Sequence, residues 1–221
     1  MAPCRFTDII VKNLKFSAPT SSMKGQNLFI QYNDEKILMQ LPKMKIPFGI
    51  SKYNGQGYTS YSLDMSLQHQ EPFKQFMLDV NDHVKTTALL NSASWFKEKC
   101  TPEQIDSYFY SSVRDDPKGK FASLFKLNLP IYDDKTKVAF FDDNREEIKF
   151  TDVQRGSYVV CLVELLGVWF SNKKFGLKWN VNQIKVFPDT KLPENGFMMD
   201  DSDDDGAKPV SKGVCMLSDS D

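Results

Sequence analysis

The stretch that decides the fold covers residues 158–188 and reads YVVCLVELLGVWFSNKKFGLKWNVNQIKVFP. Its first half, residues 158–170, is almost continuously apolar and rich in β-branched and aromatic residues, a pattern typical of a strand covered on both faces. In its second half, apolar residues alternate with polar ones, which is typical of a half-buried strand. Because the polar residues 171–174 separate the two halves, the sequence predicts a long β-hairpin with its tip at this tetrapeptide.

The predicted hairpin carries aromatic and basic residues close together. Four aromatic residues flank the tip and two lysines lie within it: Trp169, Phe170, Phe175, Trp179, Lys173 and Lys174. Lysines neutralise phosphates and flat rings stack on unpaired bases, so this combination is typical of surfaces that bind single-stranded nucleic acid. Trp179 shares a strand face with apolar residues, and we expect it to pack in the core. Trp169 and Phe170 point to opposite faces, which leaves one of them as a candidate for exposure.

The segments before the hairpin predict further strands and two helices. Short apolar and alternating segments between turn residues bring the expected total to roughly eight to ten strands. In the middle of the chain, apolar residues recur at helical spacing, which predicts a helix over about 72–90. A capping box of Thr101 and Gln104 predicts the start of a shorter helix over about 102–110. The sequence therefore predicts a mostly β domain with a small helical insert at about 72–110.

Candidate nucleic-acid contacts come from the hairpin and from one loop. The loop over 42–57 is too rich in Gly and Pro for regular structure, and it joins three lysines with a tyrosine. The predicted binding residues are Lys43, Lys45, Lys52 and Tyr53 in the loop, and Trp169, Phe170, Lys173, Lys174 and Lys178 in the hairpin. A further basic group surrounds Gly119 and consists of Arg114, Lys118, Lys120 and Lys126.

Charge is distributed unevenly along the 221 residues, whose total is −1. Residues 200–221 contain seven Asp and two Lys, a net charge of −5, which leaves +4 for residues 1–199. Beyond Pro188 the composition shifts to Pro, Gly, Asp and Ser, which is typical of disorder. We expect a single-stranded DNA-binding domain over 1–188 and a disordered acidic tail over 189–221.

The predicted tail is a polyanion. Its densest run consists of Asp200, Asp201, Asp203, Asp204 and Asp205. One interpretation is a solubilising tail. The sharper one is a mimic of nucleic acid that occupies the protein's own basic groove, or docks on basic replication partners, until nucleic acid displaces it. Three serines precede an aspartate and are candidate sites for acidophilic kinases: Ser202, Ser218 and Ser220.

Motifs of other function classes are absent from the sequence. It contains no HExxH, GxSxG or Walker A motif, so we expect no enzyme and no cofactor. The acidic pairs are the sort found in turns, and a metal site is the weaker interpretation: Asp115-Asp116, Asp133-Asp134 and Asp142-Asp143. The four cysteines are scattered without a CxxC, which favours free thiols in a reducing compartment. The longest apolar run is too short for a membrane-spanning helix and no signal region is visible, so we expect a soluble intracellular protein.

Four segments together carry a family resemblance: LPKMKIPFGISKY (41–53), YSLDMSL (61–67), SWF (94–96) and GVWFSNKKFGLKWNVNQIKVFP (167–188), the last followed by the acidic run. They resemble the single-stranded DNA-binding proteins of nucleo-cytoplasmic large DNA viruses and, more distantly, the phage type with an acidic C-terminus. The resemblance implies an OB-fold-like barrel with elaborations and a tail that contacts replication enzymes. It also implies a place at viral replication sites, in the host cytoplasm or nucleus, or in the virion.

The sequence thus predicts a protein that coats single-stranded DNA with little sequence preference during viral DNA replication, recombination or repair. The alternative is a structural or scaffolding protein of the virion, whose aromatic hairpin docks protein. The modest charge of +4 favours that alternative, since many nucleic-acid binders are more basic. Self-association is one further partnership that the sequence admits.

Overall fold

The computed structural model describes residues 2–22, 25–55, 58–132 and 135–188. The acidic pair Asp133 and Asp134 lies outside these ranges. So does the predicted tail, with its charged run and candidate phosphorylation sites: Asp200, Asp201, Asp203, Asp204, Asp205, Ser202, Ser218 and Ser220. The domain boundary at residue 188 therefore stays a prediction.

Strands dominate the described residues. They are β1 (Cys4–Arg5), β2 (Leu14–Phe16), β3 (Thr20–Ser22), β4 (Gly25–Tyr32), β5 (Ile37–Gln40), β6 (Met44–Lys45), β7 (Ile50–Gly55), β8 (Tyr58–Ser66), β9 (Phe109–Tyr110), β10 (Val113–Arg114), β11 (Leu124–Leu129), β12 (Ile131–Tyr132), β13 (Lys135–Thr136), β14 (Ala139–Phe141), β15 (Tyr158–Ser171) and β16 (Lys174–Phe187). The helices are α1 (Glu71–Leu90), α2 (Ser92–Phe96) and α3 (Pro102–Tyr108), with short 3-10 turns at Phe6–Asp8, Val11–Asn13 and Phe150–Asp152. The predicted mostly β class is confirmed.

The predicted hairpin is the centre of a ten-stranded sheet. β15 and β16 pair in antiparallel register from Tyr158 opposite Phe187 to Ser171 opposite Lys174. The other edge of β15 pairs with β6, β5 and β4 in turn, and the far edge of β16 pairs in parallel with β14 and β9. Along β15, buried residues alternate with half-buried ones. The expectation that this strand is covered on both faces is therefore wrong for its outer face, which no layer fully shields.

A second, four-stranded sheet packs against the inner face of the hairpin. Its order is β10-β11-β8-β7, and β12 and β13 form a separate two-stranded ribbon. Phe125 of β11 joins the layers, because its ring meets Phe73 of α1 at 5.4 Å and Trp179 of β16 at 5.7 Å. Among the described residues neither sheet closes into a barrel, so the predicted OB-like barrel is only suggested by this arrangement.

The loop predicted over 42–57 contains two strands, so the expectation of irregular structure there is wrong. β7 pairs with β8 from Ile50 opposite Leu63 to Gly55 opposite Tyr58. The Gly and Pro residues that suggested a loop flank these two strands or end them. They therefore do not interrupt the pairing of β6 with β15 or of β7 with β8.

The helical insert forms where the sequence predicts it. α1 starts with Pro72 in its first turn and buries one apolar face. The capping box of α3 is present, since the Gln104 backbone N–H donates to Thr101 Oγ1 at 3.3 Å and the Thr101 N–H donates to Gln104 Oε1 at 2.8 Å. The short helix α2 between them was not predicted as a separate element. None of the helices in the described ranges has the length and apolar character needed to span a membrane.

Candidate nucleic-acid interface

The hairpin tip is fastened to the helical insert. Asn172 and Lys173 both have positive φ, 46° and 64°, as a tight two-residue hairpin turn requires. The Lys173 ammonium donates to Glu98 Oε1 at 2.9 Å, and the Lys174 ammonium donates to the backbone carbonyl of Ser107. The pKa of Lys173 is raised by its hydrogen bond to Glu98. Both lysines are exposed as predicted, but each already has a partner within the protein.

The two aromatic residues beside the tip, Trp169 and Phe170, point to opposite faces of β15, as their adjacent positions imply. Phe170 is only 9% exposed, and its ring is enclosed by Trp95 at 5.6 Å, Phe96 at 5.7 Å and Phe175 at 6.0 Å. Neighbouring rings therefore cover most of Phe170 and leave it little surface on which a base could stack. Trp169 points to the outer face and is half-buried. The expectation that Trp179 packs in the core agrees with its contact with Phe125.

Two rows of side chains cover the outer face near the tip. Hydrogen-bond register places Asn27, Trp169, Gly176 and Tyr110 side by side on β4, β15, β16 and β9. The adjacent row holds Phe29, Gly167 and Lys178. We call the four large side chains of this surface the tip platform: Phe29, Tyr110, Trp169 and Lys178.

The two glycines of the tip platform are required by close approach. A Cβ at Gly167 would lie 1.8 Å from the Leu28 carbonyl oxygen. A Cβ at Gly176 would lie 2.6 Å from the Tyr110 carbonyl oxygen and 3.1 Å from Trp169 Nε1. Because the two glycines have no side chain, β4 and β9 can pair closely with the hairpin. The Trp169 indole can also lie close to the backbone at position 176.

Aromatic rings on this surface are open to solvent. Tyr110 is 55% exposed and its ring centroid lies 6.2 Å from that of Trp169. Phe29 is 54% exposed. A groove of about 430 Å³ runs beside Tyr110 and Trp169, and its lining also includes Lys178, Lys126, Tyr132 and Trp179. Tyr132 at this groove is 73% exposed.

The groove contains two lysines without a carboxylate partner. Neither Lys126 nor Lys178 forms an ion pair with any residue in the described ranges, and the Lys178 ammonium meets only Asn27 Oδ1, at 3.4 Å. Several cations elsewhere in the protein are compensated: Lys15 by Asp34, Lys36 by Glu164, Lys74 by Asp115, Lys85 by Asp82 and Asp106, and Arg114 by Asp64. Two positive charges without an acidic partner in the described ranges therefore line the same groove as Tyr110 and Tyr132.

The remaining predicted residues lie in two other places. Lys43 and Lys45 lie at the opposite end of the hairpin, where each ammonium is 5.5 Å from the Tyr158 ring centroid. Lys52 and Tyr53 belong to β7 in the second sheet and point to its opposite faces. The structure thus brings Trp169 together with Lys178, and Lys43 together with Lys45, but not all nine residues.

Three aromatic residues of the interface were missed by sequence reasoning: Phe29, Tyr110 and Tyr132. Tyr110 was assigned to the end of a helix, whereas α3 ends at Tyr108 and the next two residues form β9. Lys126 was noticed only as part of the basic group around Gly119. The one available signal was the alternation of buried and more exposed residues along β11, in which Lys126 and Asn128 occupy the more exposed positions.

Two described acidic pairs serve local structure. Hydrogen bonds lower the pKa of Asp116, the largest effect coming from the Phe121 backbone N–H at 3.1 Å. The pKa of Asp115 is lowered by hydrogen bonds from Ser123 and Lys74. Asp142 accepts the Glu146 backbone N–H at 2.8 Å. The backbone partners of Asp116 and Asp142 are those of turn residues, whereas Asp115 contacts the more distant side chains of Lys74 and Ser123.

Comparison with known proteins gives one family and a few distant relatives. The model of a family of unknown function (DUF5871) matches residues 57–200. The uncharacterized protein L291 of Acanthamoeba polyphaga mimivirus is 23% identical over 172 residues, which make up 74% of this chain and 28% of the relative. The chain thus spans little more than a quarter of that relative's length.

Solved structures that resemble the chain include two phage proteins. The single-stranded DNA-binding protein of bacteriophage Enc34, in complex with ssDNA, has 12% identity and a TM-score of 0.45, over 79% of this chain and 96% of that one. The single-stranded DNA-binding protein gp2.5 of bacteriophage T7 has 12% identity and a TM-score of 0.44, over 79% of this chain and 100% of that one. The viral family that the sequence resembles is not among these findings.

Proposed function

We propose that this chain, which belongs to the family of unknown function DUF5871, binds single-stranded DNA at the tip platform with little sequence preference. One observation carries the proposal: the exposed ring of Tyr110 and the half-buried ring of Trp169 lie beside Lys126 and Lys178, which have no carboxylate partner in the described ranges. Every base has a flat face, so stacking on such rings tolerates any sequence.

Stacking requires unpaired bases. In a duplex, each base face is already covered by its neighbours, and only the groove edges and the backbone are presented to a protein. The tip platform offers ring faces and few hydrogen-bonding groups that would read base edges, Asn27 being one of them. A single strand is therefore the better ligand, and each stacked base is expected to contribute about 1–3 kcal/mol.

The lysines add a term that depends on salt. Each phosphate neutralised on a single strand lowers the logarithm of the affinity by about 0.7 per tenfold increase in salt. Because Lys126 and Lys178 lack acidic partners in the described ranges, their charge is available without first breaking an ion pair. Two phosphate contacts would give a slope of about −1.4 from these residues alone.

The proposal is tested by fluorescence anisotropy with labelled oligo-dT at two salt concentrations. We expect the full chain to bind with submicromolar affinity at low salt and Tyr110→Ala to weaken binding about tenfold, equivalent to about 1.4 kcal/mol of lost stacking. Phe121→Ala is the matched control, because Phe121 is an exposed ring outside the groove. Equal losses in both variants, with unchanged thermal unfolding, would reject the tip platform as the site.

A finer role follows from the same proposal. The chain would coat exposed strands at viral replication sites during DNA replication, recombination or repair, and the acidic run over 200–205 would compete with DNA for the platform lysines or contact replication enzymes. The charges of −5 for residues 200–221 and +4 for the rest support this competition. A chain stopped at Pro188 should bind oligo-dT more tightly, most clearly at low salt. Unchanged affinity would contradict the competition and leave the platform unaffected.

A second candidate function is docking of another protein. It is favoured by a half-buried apolar strip on the outer face between the ends of the hairpin, formed by Leu38, Val160 and Leu162. Under this alternative, the full chain and the chain stopped at Pro188 both fail to bind oligo-dT at low salt. A native preparation would then contain a discrete protein assembly and no nucleic acid by its absorbance ratio.

A further inference from the structure

The base of the hairpin holds a second cluster of lysines and aromatic rings. The Lys43 ammonium lies 4.1 Å from the Phe187 ring centroid, and that of Lys185 lies 5.2 Å from the same centroid. The Lys45 ammonium lies 5.5 Å from the centroid of Tyr158. We call this cluster the hairpin base: Lys43, Lys45, Lys185, Tyr158 and Phe187. Cation–π contacts of this length orient an ammonium group without neutralising its charge.

The hairpin base and the tip platform lie on one face of the sheet. Tyr158 is opposite Phe187 on one side and opposite Lys45 on the other, and directly opposed residues of antiparallel strands share a face. The half-buried residues of β15 continue from Tyr158 at every second position to Leu166. The register shift between Leu165 and Gly167 adds one residue to β15 at this point. Trp169 therefore lies on the same outer face as Tyr158, although the two residues are an odd number of positions apart.

The charges of Lys43 and Lys185 are available at the hairpin base. Lys43 and Lys185 form no ion pair with any residue that the structure describes. Because the lysines cover the ring faces, a base has no room to stack there, whereas a phosphate can approach the ammonium groups from the solvent side. The chemistry of this cluster therefore suits the sugar–phosphate backbone of a strand and not its bases.

The surface between the two clusters does not repel a strand. Glu164 is the one acidic side chain that β15 contributes to this face, and Lys36 compensates it at 3.4 Å. Next to the hairpin base, a groove of about 430 Å³ has Val160 and Leu162 in its lining, together with the cationic Arg145 and Lys185. A strand that leaves the tip platform along this face would thus meet apolar and cationic groups.

We propose that the hairpin base is a second subsite, which binds backbone phosphates of the same DNA strand whose bases stack on the tip platform. The inference rests on the proposed function and adds a path and a length to it. Trp169 lies eleven residues beyond Tyr158 on β15, a distance of about 36 Å at ~3.3 Å per residue. A stacked strand with ~3.4 Å per nucleotide needs about 11 nucleotides to reach both clusters.

A series of labelled oligo-dT lengths tests the path. Anisotropy titrations with oligomers of about 4, 8, 12 and 16 nucleotides at two salt concentrations, spanning the length expected for a single-strand site, would compare the full chain with Lys43→Ala combined with Lys185→Ala. We expect unchanged affinity for the shortest oligomer, a loss of about tenfold from 12 nucleotides upward, and a salt slope reduced by about 1.4 for the long oligomers only. Lys12→Ala combined with Lys137→Ala is the control, since both of these lysines are exposed and lie off the hairpin.

The possible failures are distinct. A loss that is equal at all lengths, or a double variant that matches the control, overturns the second subsite and leaves the tip platform as the site. If the full chain binds no oligomer at low salt, the proposed function fails and the second subsite fails with it. The substituted lysines make surface contacts, and unchanged thermal unfolding of the variant confirms that the fold is retained.

Discussion

The two ends of the β15–β16 hairpin have similar composition and different surroundings. At the tip, Lys173 is bound to Glu98, Lys174 to a backbone carbonyl, and the neighbouring ring of Phe170 is buried by α2. At the base, Lys43 and Lys185 lie over half-buried rings without an acidic partner in the described ranges. Lysines beside aromatic residues therefore stabilise the packing of the insert at one end and leave positive charge available at the other.

The partner of a lysine therefore decides its role more than its neighbours in sequence do. An exposed ion pair contributes little to stability, but it must be broken or shared before the cation can serve a phosphate. Lys178 is only four residues from Lys174, yet it lies on the outer face beside Trp169 with an amide oxygen as its nearest partner. Four substitutions test this contrast between the two ends of the hairpin.

The largest effect is expected from Gly167→Val. This substitution disrupts the pairing of β4 with the hairpin near its tip and leaves the hairpin base unchanged. The added Cβ would collide with the Leu28 carbonyl at 1.8 Å, so β4 must move away from the hairpin. We expect a destabilisation of about 3 kcal/mol, since overpacked backbone contacts cost this much. Chemical denaturation would measure it. Gly119→Ala is the control, because its Cβ meets nothing within 4 Å although its φ is +63°.

The control separates collision from backbone strain. Gly119→Ala retains only the conformational cost of a positive φ, about 1 kcal/mol. If both variants lose the same stability, close approach of β4 is not what requires glycine at position 167, and the tip platform is less tightly built than the register implies.

The second effect concerns the paired and unpaired lysines of the tip end. Lys178→Ala should weaken oligo-dT binding about fivefold at low salt and reduce the salt slope by about 0.7, because one phosphate contact is lost. Lys173→Ala should change the affinity by less than about twofold, since its charge is already compensated by Glu98. Anisotropy titrations at several salt concentrations would measure both. Equal losses would show that DNA also passes over the tip.

Local patterns predicted the elements well. Alternation and a polar tetrapeptide identified the hairpin, and its tip forms the expected turn at Asn172 and Lys173. The capping box of Thr101 and Gln104 identified the start of α3. What these patterns do not contain is the pairing of distant edges, which leaves the predicted barrel no more than suggested. Whether a sheet closes depends on contacts between segments far apart in the chain.

The candidate site could be predicted only in part for the same reason. Trp169 and Lys178 could be named because both lie on the hairpin itself. Tyr110 enters the tip platform only through parallel pairing with Gly176, and Phe29 through pairing with Gly167. Glu98, which compensates Lys173, is 75 positions away from it in the sequence. The spacing of residues within a motif does not reveal such distant partners. Some of them add side chains to a site, as Tyr110 and Phe29 do, and others neutralise a charged residue, as Glu98 does.

The smallest effect is expected from Glu98→Gln, which turns the paired lysine of the tip into an unpaired one. If pairing is what keeps Lys173 from DNA, its release should raise oligo-dT affinity, by less than about twofold because one exposed charge is involved. Asp34→Asn is the matched control, since it frees Lys15 from an exposed ion pair of 2.7 Å. Equal gains in both variants would point to net charge and not to the position of Lys173.

The effect of Glu98→Gln can also be measured as a change in thermal stability at alkaline pH. The hydrogen bond to Glu98 raises the pKa of Lys173 above the ordinary lysine value of 10.5. The contribution of the pair is therefore complete below that value and is lost as the pH rises through the raised pKa. We expect the wild type to unfold at a slightly higher temperature than Glu98→Gln near pH 8, and this difference to shrink as the pH rises through the raised pKa of Lys173. A difference that persists would mean that Glu98 stabilises the tip through contacts other than the charge of Lys173, and the contrast between the ends of the hairpin would then rest on packing alone.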